Sequence, residues 1–148
     1  MLKEGTLAPN FNLPDKDGAL HSLGDCKGKW VLIYFYPKDD TPGCAKEACS
    51  FRDNLPNFEK LDAQIFGISA DSVKSHARFS DKFGLNFILL SDPSREVVKI
   101  YEAGESSTKR ISYLIDPDGK IFKAYQKVKP DVHAEEALQD LQIAKARW

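Results

Sequence analysis

Cys44 and Cys49 are the most closely spaced cysteines in the chain, and they follow its most apolar run, Trp30 to Tyr36, after a short loop. The loop ends in Thr41-Pro42, a helix start signal: threonine suits the N-cap, and proline suits the first helical position, where a missing N–H costs nothing. Cys44 then falls at the third helical position. A capping box places an acid there, because free backbone N–H groups and the positive end of the helix dipole favour an anion. At Cys44 that anion is a thiolate, the form in which cysteine is a nucleophile. An ordinary cysteine, with a pKa of about 8.5, is only about 3% thiolate at neutral pH, so a helix terminus and a nearby cation are what make a thiol a reagent.

Strand, tight loop and a cysteine in the first helical turn are the layout of thioredoxin-like redox sites, but the C-x-x-C of a disulfide exchanger is absent. The second cysteine lies five residues on. In an ideal helix that separation is roughly 7.5 Å of rise and about 140° of rotation, or about 8–9 Å between Cα atoms. A disulfide needs about 7 Å or less. If Cys44 and Cys49 pair, the first turns of the helix must unwind, and the pair is then a switch and not a staple. The alternative is that Cys49 is a small buried hydrophobe on the helix. Cys26 stands in a separate loop with Lys27 and Lys29 nearby and is expected to be an incidental thiol. The same loop, Gly24 to Lys29, is no phosphate loop: its glycines are too close, Trp30 stands where Ser or Thr is needed, and the strand follows it instead of preceding it.

Several elements must position these residues. Trp30 to Tyr36, without helical periodicity, rich in Val, Ile, Tyr and Phe and stopped by Pro37, is predicted to be a strand buried on both faces. Before it, Phe11 and Leu13 alternate with polar residues, Asp15 to Gly18 is a turn, and Leu20 to Leu23 returns as the second arm of a hairpin capping one edge of the fold. After it, the Cys44 helix should be kinked or interrupted by Pro56. Gln64 to Ala70 is a strand, Ser72 caps a helix to about Phe83, and Phe87 to Leu90 is a short buried strand. Pro93 and Ser94 open a helix through about Tyr101, and residues 103–109 form a Ser-rich loop. Arg110 to Ile115 and Lys120 to Tyr125 are strands joined by the tight turn Asp116 to Gly119, and Val132 to Ala144 is the closing helix. Alternation followed by a hairpin argues for an α/β fold with a mixed central sheet and helices on both faces.

The 148 residues, 42% hydrophobic and 29% charged, suit one globular domain spanning residues 1–148. Lys plus Arg number 21 against 22 Asp plus Glu, so no charge surplus points to nucleic acid or a solvating tail. No run approaches the roughly 20 apolar residues of a membrane span, and the first residues lack the apolar core of a signal peptide; the expected location is the cytoplasm. In a reducing compartment, three cysteines argue for catalysis or metal binding over a disulfide framework. His21, His76 and His133 show no metal-ligand spacing and are expected to be solvated or hydrogen-bonded. Lys16, Asp17, Lys38, Asp39 and Asp40 are expected in solvated loops, although Asp39 and Asp40 would oppose a thiolate if they pointed at it.

The segment PKDDTPGCAKEACSFRD resembles the active-site motif of the peroxiredoxins, P-x-x-x-[ST]-x-x-C, through Pro37, Thr41 and Cys44. The second cysteine five residues on is the mark of the bacterioferritin comigratory protein, or peroxiredoxin Q, group. The similarity runs from about Gly5 to about Leu141, taking in APNFNLPDKDG, GKWVLIYFYPKD and RISYLIDPDGKI. It implies a thioredoxin fold and a peroxidase without cofactor or metal. In that scheme Cys44 thiolate takes the terminal oxygen of a hydroperoxide and becomes a sulfenic acid, Cys49 resolves it as an intramolecular disulfide, and thioredoxin or a similar dithiol reductant restores the pair. Thr41 and Arg110 would hold the peroxide, Pro37 would shield the thiolate, Glu47 would orient Arg110, and the protein would be a monomer. Ala45 departs from the threonine often found after the reactive cysteine. The rival readings are a thioredoxin-fold binding or chaperone module with passive cysteines, and a peroxide sensor that hands its disulfide to a regulator.

Overall fold

The computed structural model describes residues 1–148. Its elements are β1 (Asn12–Pro14), β2 (Leu20–Ser22), a 3-10 turn (Gly24–Cys26), β3 (Trp30–Phe35), α1 (Pro42–Lys60), β4 (Ala63–Ser69), α2 (Val73–Phe83), β5 (Ile88–Ser91), α3 (Glu96–Ile100), β6 (Ile111–Ile115), β7 (Ile121–Tyr125) and α4 (His133–Arg147). Five strands form one sheet in the order β5-β4-β3-β6-β7, parallel from β3 to β5 and antiparallel from β3 through β7. This is the expected mixed α/β sheet.

β3 is its central strand, and every residue of it is buried. Its alternate residues serve two cores, as the period of two in a strand requires. Trp30, Leu32 and Tyr34 pack with α1 and α4 on one face, while Val31, Ile33 and Phe35 pack with the hairpin and α3 on the other. Tyr34 has room because its partner across the parallel register is Gly67; a Cβ there would come within 2.8 Å of the Tyr34 ring. Phe51, on the inner face of α1, stacks on Tyr34 at 4.6 Å between ring centres and meets Phe58, Phe87 and His133 at about 6 Å. That cluster fixes α1 against the sheet.

The hairpin forms as expected, its turn tied by Asp15 Oδ1 accepting from the N–H groups of Asp17 and Ala19. It lies beside the edge strand β5, as expected, and also covers a face, where Phe11 packs on Phe66 and Tyr101. The edge strand β7 is guarded by residues before the hairpin, where Gly5 N–H donates to Ile121 O and Ile121 N–H to Thr6 O. The interruption expected at Pro56 does not occur: α1 runs unbroken through it. The carbonyl that Pro56 cannot serve, Arg52 O, accepts instead from Asn86 Nδ2 at 3.4 Å, and Pro56 itself lies on the exposed side of the helix. The proline therefore removes one bond at a place where a replacement donor reaches. α3 is shorter than expected because Arg95, with φ of 63°, is left-handed and blocks an earlier start.

Truncating the hub tests this packing. Phe51→Ala should lower stability by about 3–5 kcal/mol, seen as a lower denaturant midpoint with an unchanged slope in equilibrium unfolding.

Candidate active site

The site is assembled at the end of β3. The loop Pro37 to Asp40 turns the chain from the sheet into α1, and its acids face away from the helix terminus. Asp39 is buried, not solvated as its charged neighbours suggested. Its N–H donates to Asp71 Oδ2 at 2.9 Å; its Oδ1 accepts from the Tyr36 hydroxyl at 2.6 Å and its Oδ2 from Ser75 Oγ at 2.8 Å. His76 Nδ1 lies 2.7 Å from the same Oδ2, and its Nε2 donates to Leu90 O at 2.9 Å, since a carbonyl can only accept. Asp40, left-handed with φ of 55°, pairs with Lys82 on α2. The loop is thus bolted to α2 and β5, and its two carboxylates are spent there. Asp39, Asp71 and His76 bring three ligand-type atoms within 4.8 Å of one another. Each already serves the hydrogen bonds just named, so this cluster is a clamp on the loop.

Thr41 is the N-cap residue of α1, but its hydroxyl does not cap; it donates to Lys38 O at 2.8 Å. With no side chain bound to the first turn, the helix N–H groups there stay available to an anion. Cys44, 2% exposed, sits in that turn. Arg110 reaches it from far along the chain because β6 pairs with β3 in the register Phe35 to Ile111, which brings the residue before Ile111 to the loop end of β3. The Arg110 Nη2 donates to Cys44 Sγ at 3.4 Å, and its Nη1 donates to Glu47 Oε1 at 2.7 Å. Gly43 makes the approach possible, since a Cβ on it would lie 3.1 Å from Nη2.

Glu47 is fully buried. Burial pushes its carboxyl up from the ordinary 4.5 to about 7, against the pull of Arg110. For the guanidinium, burial works to lower the pKa, but the Cys44 hydrogen bond and the Glu47 charge outweigh it and the net direction is up. Glu47 Oε2 and the Tyr34 hydroxyl are buried without any partner. The Tyr34 phenol is held well above its usual range by burial, then by the charges of Glu47 and Cys44.

The structure therefore brings Cys44, Glu47 and Arg110 together, with Thr41 at the same helix terminus. Pro37 is exposed and lines, with Arg110, Met1, Glu102 and four other residues, a cavity of about 480 Å3 that does not include Cys44. Cys49 is half-buried on α1 and unpaired, as is Cys26, whose thiol rests against Ser22 O at 3.8 Å. His133 is buried, with Nε2 2.7 Å from Ser112 Oγ. Sequence reasoning missed Tyr34, hidden in a run that reads as plain core, and Pro130, whose ring lies 3.8 Å from where a Cβ of Gly43 would stand.

The model of the AhpC/TSA family matches residues 5–124. The chain belongs to that family. More narrowly, it is 42% identical over 146 residues to the peroxiredoxin Bcp of Escherichia coli K12, covering 93% of this chain and 94% of that one. Among solved structures, a PrxQ variant of Xylella fastidiosa superposes with a TM-score of 0.93 at 33% identity over 98% of each chain. The bacterioferritin comigratory protein of Xanthomonas campestris, known for alkyl peroxide reduction, gives 0.88 at 36% identity over 90% of this chain and 91% of that one. The chain is thus a peroxiredoxin of the Bcp/PrxQ group, a thiol-dependent peroxidase with a thioredoxin fold. No helix in it is long and apolar enough to cross a membrane.

In this peroxiredoxin the raised Glu47 carboxyl links stability to pH. Unfolded, Glu47 ionises near 4.5; folded, near 7, so its contribution is fully present below the lower value and is lost as pH rises through the upper one. Measured against Glu47→Gln, the reduced wild type should lose on the order of 3 kcal/mol across that window, and denaturant unfolding at a series of pH values reads the difference.

Proposed function

We propose that Cys44 is the nucleophile of this peroxidase and Cys49 its resolving partner, acting on hydrogen peroxide and organic hydroperoxides. The observation that carries the reading is the Arg110 guanidinium, which donates to Cys44 Sγ while Glu47 holds its other arm. A fixed cation and a helix N-terminus, both of which attract an anion, converge on one buried sulfur. Attack on the terminal oxygen gives Cys44 sulfenic acid. The developing charge on the departing oxygen meets donors already in place, the guanidinium and the first-turn N–H groups. The Thr41 hydroxyl gives its proton to Lys38 O in the resting state. Its lone pairs therefore face an arriving peroxide O–H as acceptors, and rotation about one bond makes it a donor. Pro37 and Arg110 share the cavity beside the site, which supports an approach from that side.

Resolution needs a change of shape. Cys44 and Cys49 lie on one continuous helix, where about 8–9 Å separates such Cα atoms, beyond disulfide reach. α1 must therefore open around them, and the opened disulfide is what a thioredoxin-type dithiol reaches. Free cysteines suit the cytoplasm. Residues 1–148 are read as one domain, supported by the two core clusters that share β3, and the resemblance to the group implies a monomer.

Cys44→Ser should abolish peroxide consumption with the fold intact; a variant with wild-type turnover would overturn the reading. Arg110→Ala and Thr41→Val should each slow attack by about tenfold or more, since one donor to a developing charge is worth a few kcal/mol of barrier; stopped-flow second-order rate constants decide.

Hydrogen exchange reports the opening. Amides of residues 46–50 should be protected in reduced protein and lose protection after peroxide treatment, while Trp30–Phe35 keeps it. Full retention in residues 46–50, or a Cys44–Cys26 linkage by mass spectrometry, would remove Cys49 from the scheme.

A further inference from the structure

The buried centre of the site holds two acids and one base. Cys44 is 2% exposed and Glu47 fully buried, and the only cation bonded to either is Arg110. The titratable groups facing Glu47 are Cys44 on its own helix, Tyr34 from β3 and Arg110 at the head of β6. Arg110 stays charged, and Tyr34 stays neutral, held so above all by burial. Two buried anions against one cation would leave a negative charge without a partner, which is strongly unfavourable out of water. One anion at a time satisfies the site. When the sulfur is a thiolate, Glu47 carries a proton, and the place for it is Oε2, since Oε1 accepts from Arg110 and Oε2 has no partner.

We propose that Glu47 stores the proton that Cys44 gives up and returns it to the oxygen that leaves the peroxide. This rests on Cys44 being the nucleophile. The balance closes at each step. Cys44 thiol and Glu47 carboxylate become thiolate and carboxylic acid. The thiolate attacks R–O–OH: the S–O bond forms, the O–O bond breaks, sulfur is oxidised to S–OH and the peroxide is reduced, its electron pair departing on RO⁻. At that moment sulfur no longer offsets Arg110, so the proton on Glu47 is released, RO⁻ becomes ROH, and the carboxylate replaces the thiolate as the partner of the guanidinium. Arg110 keeps its own protons, because it is the only cation bonded to either acid and must stay charged to match whichever of them is ionised. When a dithiol later returns Cys44 to the thiol, Glu47 takes its proton again. The trio keeps one positive and one negative charge throughout, and the carboxyl that burial has pushed to about 7 is poised to change hands near neutrality.

The nature of the leaving group provides the test. An alkyl hydroperoxide expels an alkoxide that must be protonated, whereas a peracid expels a carboxylate that need not be. Glu47→Gln keeps an acceptor oxygen for Arg110 and removes the transferable proton. The rate constant of Cys44 oxidation by peracetic acid, divided by that for tert-butyl hydroperoxide, should rise by about tenfold or more in Glu47→Gln over wild type. An unchanged ratio, with both rates reduced alike, would mean that Glu47 only orients Arg110 and would overturn the proposal. A second measurement avoids any folding defect in that variant. Reduced Cys49→Ser, which stops at the sulfenic acid, is mixed at neutral pH with one equivalent of tert-butyl hydroperoxide in weak buffer with an indicator dye. Formation of the sulfenic acid should draw no proton from solvent; uptake of one proton per sulfenic acid would overturn the proposal. Should wild type oxidise Cys44 with neither reagent, the proposed function itself falls.

Discussion

The guanidinium of Arg110, shared between the sulfur of Cys44 and the carboxyl of Glu47, is the contact on which the rest of the site depends. It is a single fixed positive charge, itself partly exposed, held against two acids that are both buried. Such a group is worth far more there than at the surface, where screening and side-chain entropy reduce an ion pair to a fraction of a kcal/mol or so. The same enclosure makes each unmatched charge expensive. Everything else at this end of the sheet either brings the three groups together or keeps competing charges out.

Bringing them together is work for the sheet and the helix jointly. Cys44 and Glu47 are one helical turn apart, so α1 alone places them on one side; Arg110 arrives by antiparallel pairing of β6 with β3. The relation between helix and sheet is fixed by Phe51 on Tyr34 and by the bare Gly67 beneath that ring. Competing charges are removed by the Asp39 clamp. Its carboxylate, two residues from Thr41, would have weakened a thiolate at the helix terminus, and it is instead held by Tyr36, Ser75 and His76. The loop's stiffness and the electrostatics of the site thus share one cause.

How much of this is legible in sequence depends on the range of the interaction involved. The candidate nucleophile, its helix terminus and the central strand are local features, written in Thr41-Pro42, in the spacing to Cys44 and in an apolar run of β-branched and aromatic residues. Arg110 is different: nothing within its own neighbourhood marks it, and only the resemblance to peroxiredoxins pointed to it, because strand pairing is a long-range event. Asp39 was misread for a related reason, since a charge surrounded by charges suggests solvent until Ser75 and His76 from another helix are seen to meet it. Pro56 misled because propensity counts the bond a proline removes and not the Asn86 side chain that replaces it. The loose oxygen of Glu47 leaves no trace in sequence at all.

Arg52, next to Phe51 on α1, hands its backbone carbonyl to Asn86 and its guanidinium to Phe83 O at 2.6 Å. These bonds reach the last residue of α2 and the connection to β5, while the Asp39 clamp fastens the loop at the start of the same helix. Mechanically, the stretch from Gly43 to Phe51 is a span held at both abutments by one pier. Both footings lie outside residues 44–49, the stretch that the proposed disulfide would open, so a rearrangement there would have a bounded travel. A helix that opens and re-forms in the proposed cycle would in this way be relieved of the search for its starting position.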